Sequence, residues 1–314
     1  MFRNKEYVLT ILKEGGFTKA AEKLYVSQPS LSATIKRLED RIGVPIFDRS
    51  SSPISLTEAG KEYVKYANEI EQKERDFERY VSDYNNLLTG KIRIGGSSLF
   101  SSFILPRMIS NFNASYPQIE FEIFEDSTKN LMQKLNIGEL DVVIDNALID
   151  NENIDSKIYT SEILLLAVPK FFSINDKIST HRLSAGDVKR GKHLSTSLSV
   201  PLKTFENEAF IFLNPENDTG KRAIRLFKKH ELTPKVSFTL DQQVTSYNVS
   251  CSGLGISFVS DTLIKHVAAS PDLYFYRLSD SEVVRNIYFY RKSNKYLSLA
   301  FKTFIEYNFG AEKI

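Results

Sequence analysis

The chain holds a single cysteine, Cys251, among 314 residues. No intrachain disulfide can form, and a reducing compartment is expected. Long apolar runs are also missing. The longest, Ile163–Val168, is far too short to cross a bilayer, so no membrane partner is expected. The opening MFRNKEYVLTILKEGG carries charges too closely spaced for a secretory signal, and a soluble, cytoplasmic protein follows as the expectation. Net charge is only +2, which excludes a bulk polycation of the chromatin type; nucleic-acid binding would have to come from local placement of charge. Catalytic signatures are scarce as well. His181, His193, His230 and His266 are scattered without metal-ligand spacing. Cys251 stands between Ser250 and Ser252 in a helical stretch and is better explained as a small core residue than as a nucleophile. There is no G-x-S-x-G, no phosphate loop and no paired-cysteine motif. No metal, cofactor or enzymatic activity is expected.

What is present begins at Phe17. In Phe17–Leu24 the apolar residues Phe17, Ala20, Ala21 and Leu24 recur at helical spacing. Tyr25–Val26 forms a turn. Ser27 can cap the next helix, Pro29 suits its first turn, and Gly43 stops it after Ile42. Leu31, Ile35, Leu38 and Ile42 form a buried stripe, which turns Pro29, Ser32, Ala33, Lys36 and Arg37 outward. Small, polar and cationic side chains near a helix N-terminus suit a major groove: Gln28, Ser27 and Ser30 can meet base edges while Lys36 and Arg37 meet phosphates. An ordinary helical hairpin with a solvated polar face fits the same pattern. Met1–Gly60 holds nine Lys and Arg against seven Asp and Glu, a balance of +2; such a weak electrostatic footprint argues for a dimer that doubles the contacts.

The string FTKAAEKLYVSQPSLSATIKRLEDRIGVPIFDRSSSPISLTEAG resembles the winged helix–turn–helix of LysR-type transcriptional regulators. The resemblance is carried by F-T-x-A-A-x-x-L, V-S-Q-P-S-L-S, I-K-x-L-E, G-V-x-I-F-x-R and L-T-E-A-G in unbroken spacing. It implies double-stranded DNA with an inverted repeat as one partner and RNA polymerase as another. It also implies a wing over Asp48–Leu56, where Arg49 is the only cation, and a DNA surface of Ser27, Gln28, Pro29, Ser30, Ser32, Ala33, Lys36, Arg37 and Arg49. Ala33 stands where the family often has arginine, and Ser50–Ser52 replace basic wing residues; affinity is therefore expected to depend on Gln28, Ser30, Lys36 and Arg37.

Residues 59–89 follow as a linker helix. Ala59, Tyr63, Tyr66, Ile70, Lys73, Phe77, Tyr80, Tyr84 and Leu87 step alternately by 4 and 3, a heptad seam. A lone helix cannot bury it. Tyr63, Tyr66, Ile70, Phe77, Tyr80 and Tyr84 are therefore expected to pair with a second copy, giving a homodimer or, as the resemblance implies, a homotetramer; packing within one chain is the alternative.

From residue 90 strand and helix signals alternate, which implies parallel strands and an α/β domain. The fold class expected overall is α/β: an all-α winged helix–turn–helix over 1–58, the linker, then a two-lobed α/β regulatory domain over 90–314. By resemblance the latter is similar to type 2 periplasmic binding proteins, with lobe 1 at about 90–165 and 269–314 and lobe 2 at about 166–268. The two crossings are expected near Leu165–Pro169 and Lys265–Ser270, with Leu273–Leu278 returning to lobe 1. Residues 181–203 read only as loops. Ligands of such sheets bind beyond the carboxyl ends of strands, at helix N-termini. The expected contacts of a small, anionic effector are Ser97, Ser98, Thr128, Asn146, Asn214 and Gly255; each could equally be a helix cap or a turn. Two rival functions remain open on the residues alone: a solute-binding protein whose helical N-terminus only dimerises it, and a ligand-processing enzyme.

Overall fold

The computed structural model describes residues 1–50, 53–84 and 89–310, which divide into two compact units. The first holds α1 (Lys5–Glu14), α2 (Phe17–Lys23), α3 (Gln28–Ile42), the two-residue strands β1 (Phe47–Asp48) and β2 (Ser55–Leu56), and α4 (Glu58–Tyr84). Val8, Ile11, Ala20, Ala21, Leu31, Ile35 and Leu38 close a core over which Ile46 and Phe47 fold. β1 and β2 pair antiparallel, Phe47 opposite Leu56, to make the wing.

Tyr25, in the turn between α2 and α3, takes a left-handed conformation at φ 55° and is 96% exposed. A tyrosine there sets Cβ against its carbonyl at a cost of about 1 kcal/mol, which asparagine largely avoids. Tyr25→Asn loses no packing and is expected to raise stability by roughly 0.5–1 kcal/mol, read from denaturant midpoints at constant m.

One expectation for α4 is corrected. Tyr63 does not belong to an open seam: it is buried, stacks on Phe2 at 4.8 Å and joins Ala67 in the three-helix core. Burial raises its pKa. Ile70 is half-buried, whereas Tyr66, Phe77 and Tyr80 are 50%, 67% and 51% exposed, as is Val81 at 42%. The side chain of Tyr84, and Leu87, lie outside the described residues.

The second unit is built on one long strand, β6 (Ile154–Pro169). Before it come β3 (Gly90–Gly96), α5 (Leu105–Asn113, entered through a π-turn at Phe100–Ile104), β4 (Ile119–Glu125), α6 (Thr128–Asn136) and β5 (Val142–Asp145). After it come α7 (Ile174–Lys177), α8 (Ala185–Lys189), β7 (Ser199–Val200), β8 (Ala209–Leu213), α9 (Asp218–Lys229), β9 (Lys235–Leu240), α10 (Gln243–Cys251), β10 (Ile256–Ser260), α11 (Asp261–His266), β11 (Leu273–Leu278), β12 (Val284–Lys292) and α12 (Leu299–Phe309). The sheet path is β4-β3-β5-β12-β6-β10-β8-β9. β3, β4 and β5 run parallel, as do β8, β9 and β10.

The first ten residues of β6 pair with β12, and from Leu164 onward β6 pairs with β10 and β11. The apolar run at Ile163–Val168 is buried, as a strand covered on both faces requires. The second crossing departs from expectation. Leu273–Leu278 pairs with β6 at Leu165–Pro169 and with β7, so it belongs to the second lobe. The chain returns through Ser279–Val283 rather than Lys265–Ser270, because its apolar side chains complete the layer around Tyr276 and Phe205 first. Residues 181–203 hold α8 with a Ser184–Asp187 capping box, short 3-10 turns and β7. Among the described residues no helix is long and apolar enough to cross a membrane.

Candidate functional site: a DNA-reading helix and an inter-lobe cleft

In the first unit α3 opens on a capped end. Ser27 Oγ accepts from Ser30 N–H at 3.3 Å, and Gly43 ends the helix at φ 85°. Ser27, Gln28, Pro29, Ser30, Ala33, Lys36 and Arg37 are exposed together, and Ser32 is half-buried. Arg37 lies back along its own helix, donating to the Ala33 carbonyl at 3.3 Å and to Thr34 Oγ1 at 3.1 Å, so its guanidinium is already oriented. Lys36 has no ion-pair or hydrogen-bond partner among the described residues.

Arg49 is placed differently from its neighbours. It donates to Glu39 Oε2 at 3.0 Å and lies 5.4 Å from the Phe17 ring centre. Glu39 Oε1 also accepts from the N–H groups of Ile46 and Phe47 at 2.8 and 3.1 Å. One carboxylate thus fastens the wing to α3, and Arg49 spends its charge on that strut. Glu39 closes the I-K-x-L-E motif, but no sequence signal assigns it this role, because its partners lie seven to ten positions on. At the wing, two bonds from Ser50 lower the pKa of Asp48.

In the second unit the carboxyl ends of β3, β4, β8 and β9 face a cavity of about 980 Å³ between the lobes. Ser97, Thr128 and Asn214 line it. The other three expected contacts do not. Ser98 lies one residue behind, in the helical turn. Asn146 donates to Glu162 Oε1 at 3.2 Å. Gly255 precedes β10 at the opposite end of the lobe, where an added Cβ would meet the Ala209 carbonyl oxygen at 3.1 Å. It answers to strand packing, not to a ligand.

The lining groups are partly committed. Thr128 Oγ1 donates to Asp145 Oδ2 at 2.9 Å. Burial raises the Asp145 pKa despite bonds from the Ala147 N–H and Thr128. Asp126 is held by Lys134, Asn130 and the Ser127 N–H at 2.7–2.8 Å; burial opposes these bonds, but they win and its pKa is lowered. Asn214 donates to Asp241, and Gln242 is the N-cap residue of α10. Lys129 of the first lobe and Lys221 of the second, missed in the sequence, line the cavity and have no partner among the described residues.

Two family models match the chain. Residues 2–61 match "Bacterial regulatory helix-turn-helix protein, lysR family", and residues 85–308 match "LysR substrate binding domain". The chain belongs to the LysR family. This LysR-family protein is a DNA-binding transcriptional regulator with an effector-binding domain. It is 27% identical over 301 residues to a probable RuBisCO transcriptional regulator of Gracilaria tenuistipitata var. liui, covering 94% of this chain and 91% of that one. It is 25% identical over 301 residues to the uncharacterized HTH-type transcriptional regulator YcgK of Bacillus subtilis (strain 168), covering 96% and 91%. Its fold is shared with a full-length OxyR variant from Pseudomonas aeruginosa (TM-score 0.72, 21% identity, 98% and 94% covered) and with full-length CbnR complexed with its target DNA (TM-score 0.64, 20% identity, 98% of each chain).

Proposed function

We propose that two copies of this regulator read an inverted repeat in double-stranded DNA through α3, under control of a small anionic effector held between the lobes. The single observation that carries the DNA half is the exposed, capped end of α3, with Lys36 free and Arg37 pre-oriented beside Gln28 and Ser30. The full-length CbnR structure was solved with its target DNA, which supports the same use here. Tyr66, Phe77 and Tyr80 form an exposed stripe on α4 that a second copy would cover, and a two-fold axis suits a repeat with two half-sites. In the cleft, free ammonium groups from both lobes favour an anion that bridges them and holds the lobes closed. We read the protein as a regulator and not as an enzyme, since the groups lining the cleft include no activated nucleophile among the described residues.

The test is fluorescence anisotropy on a duplex selected from random sequence. Lys36→Ala is expected to weaken cognate and random duplexes alike and to lower the salt slope by about one. Gln28→Ala is expected to cost roughly 1–3 kcal/mol on the cognate duplex only. An unchanged slope for the first, or equal losses on both duplexes for the second, removes that residue from its role.

A further inference from the structure

A second cavity, of about 310 Å³, joins the lobes on the other side of the crossing strands. Its walls come from α5 (Arg107, Asn111), from β6 (Tyr159–Ser161) and from α11 (Thr262, Lys265, His266). Alternation along β12 separates it from the cleft described above. Ile287 and Phe289 belong to the core cluster that holds Met108 and Phe112 of α5, whereas Tyr290, with Tyr288 against it, belongs to the cluster that holds Leu131 and Met132 of α6. Ile287 lines the second cavity and Thr128 of α6 the first.

The chemistry of the rear cavity is cationic. Among the described residues no carboxylate lines it. Lys265 gives its ammonium to Asp261 Oδ2 at 2.6 Å, but Arg107 has no ion pair or hydrogen bond among the described residues. Its charge is felt at the Tyr159 hydroxyl, whose pKa burial raises and Arg107 draws down. His266 Nδ1 meets the Thr262 carbonyl at 2.8 Å. A carbonyl only accepts, so Nδ1 carries the proton and Nε2 remains to accept an O–H when the ring is neutral, or to donate when it is charged. A planar guanidinium fork, an imidazole that works in either sense and the hydroxyls of Thr160 and Thr262 match a tetrahedral oxyanion that can be singly or doubly ionised.

We propose that this rear groove is a second regulatory site, which takes a phosphate group, either free phosphate or a small phosphate monoester. Arg107 stands on the first lobe and His266 on the second, so an occupant draws the two together behind the hinge. The front cleft then opens, and the rear ligand opposes the closure that a front effector needs. The site does not depend on what the front cleft binds.

The test uses the full-length protein and isothermal titration calorimetry with inorganic phosphate, glycerol 3-phosphate and, at matched ionic strength, acetate. Saturable binding of a phosphate ligand is expected, and acetate should give none; the tighter of the two phosphate probes identifies the source. Arg107→Ala and His266→Ala should each weaken binding at least tenfold. Arg107→Lys, which keeps the charge without the fork, should recover only part of the loss. The pair Lys129→Ala and Lys221→Ala should leave it unchanged. Absence of saturable binding, equal binding of acetate, or a loss confined to the Lys129 and Lys221 variants overturns the site. Circular dichroism on each variant separates a lost site from a lost fold. Spin labels at Lys129→Cys and Lys221→Cys, with Cys251→Ser, should move to longer distances on adding phosphate; an unchanged or shorter distance overturns the opposition between the two sites.

Discussion

Arg285→Met is expected to destabilise the second unit by about 3–5 kcal/mol, the cost of leaving a buried charge without its partner. Arg285 and Glu162 sit opposite each other where β12 and β6 pair, one residue before Ile163, and both side chains are fully buried. Arg285 Nε donates to Glu162 Oε1 at 2.7 Å. Its Nη1 donates to Asp218 Oδ2 and Thr219 Oγ1, both at 2.9 Å, at the start of α9. Burial works against the guanidinium charge, but Glu162 and Asp218 more than offset it and hold its pKa above the ordinary arginine value. Methionine fills much of the volume and removes every one of these bonds. Asp218 still has Arg222 at 2.7 Å; among the described residues Glu162 keeps only the Asn146 amide. Thermal unfolding should show a fall of roughly 6–20 °C for a unit of this size. Combining it with Glu162→Leu should restore much of the loss, since no lone charge then stays buried. Recovery is helped because Glu162 Oε2 and Arg285 Nη2 have no hydrogen-bond partner among the described residues, so the pair is not fully satisfied to begin with. A single variant as stable as the parent, or a double variant worse than both singles, would show that solvent reaches this crossing.

That network also marks a limit of the sequence. Glu162 and Arg285 are 123 positions apart, and nothing in either neighbourhood announces the other. What was legible is what depends on short periods. Leu31, Ile35 and Leu38 occupy the buried stripe that their spacing requires, and the parallel strands follow from strand–helix alternation. The misses share one cause: a pattern shows that a face is buried but not what buries it. Tyr63 fits the heptad seam of α4, yet the first turns of that helix lie against α1 and the segment before it, so its ring goes to Phe2. The apolar alternation of Leu273–Leu278 suits either lobe, and register with β6 decides for the second. Gly255 suits a ligand loop because glycine admits close approach, but what approaches is the Ala209 carbonyl. Lys129 and Lys221 escape a reading of the sequence because a lone lysine on a helix surface has no pattern at all; only the shared cavity connects them.

Gly60→Ala sets two rules against each other, and the sign of the result decides between them. Gly60 lies in the first turn of α4. Helix propensity alone gives alanine an advantage of about 1 kcal/mol at such a position. Packing gives the opposite sign. A Cβ at Gly60 would stand 2.0 Å from the Ile46 carbonyl oxygen and 2.9 Å from its carbon. These are backbone atoms, and they cannot swing aside as a side chain would. Thr57 holds them where they are: its N–H donates to the Ile46 oxygen at 3.0 Å, its Oγ1 donates to the Pro45 oxygen at 2.6 Å, and the same Oγ1 accepts from Gly60 N–H at 2.9 Å. From the other side Glu39 holds the Ile46 and Phe47 N–H groups. To admit one methyl group, the start of α4 must leave Ile46, and Ile46 and Phe47 must leave the core of the three-helix unit. Overpacking of this kind costs about 3 kcal/mol; less the propensity gain of about 1 kcal/mol, the net loss of about 2 kcal/mol lowers the melting temperature of a unit of this size by roughly 8–16 °C. Because Phe47 opens the wing and Glu39 lies on α3, DNA affinity should fall with it. Gly16→Ala is the matched control: among the described residues nothing lies within 4 Å of its added Cβ and its backbone is extended, so that variant should unfold within a few degrees of the parent. If Gly60→Ala instead melts at or above the parent temperature, helix propensity governs the junction and the contact between α4 and the Ile46 backbone does not hold the wing in place.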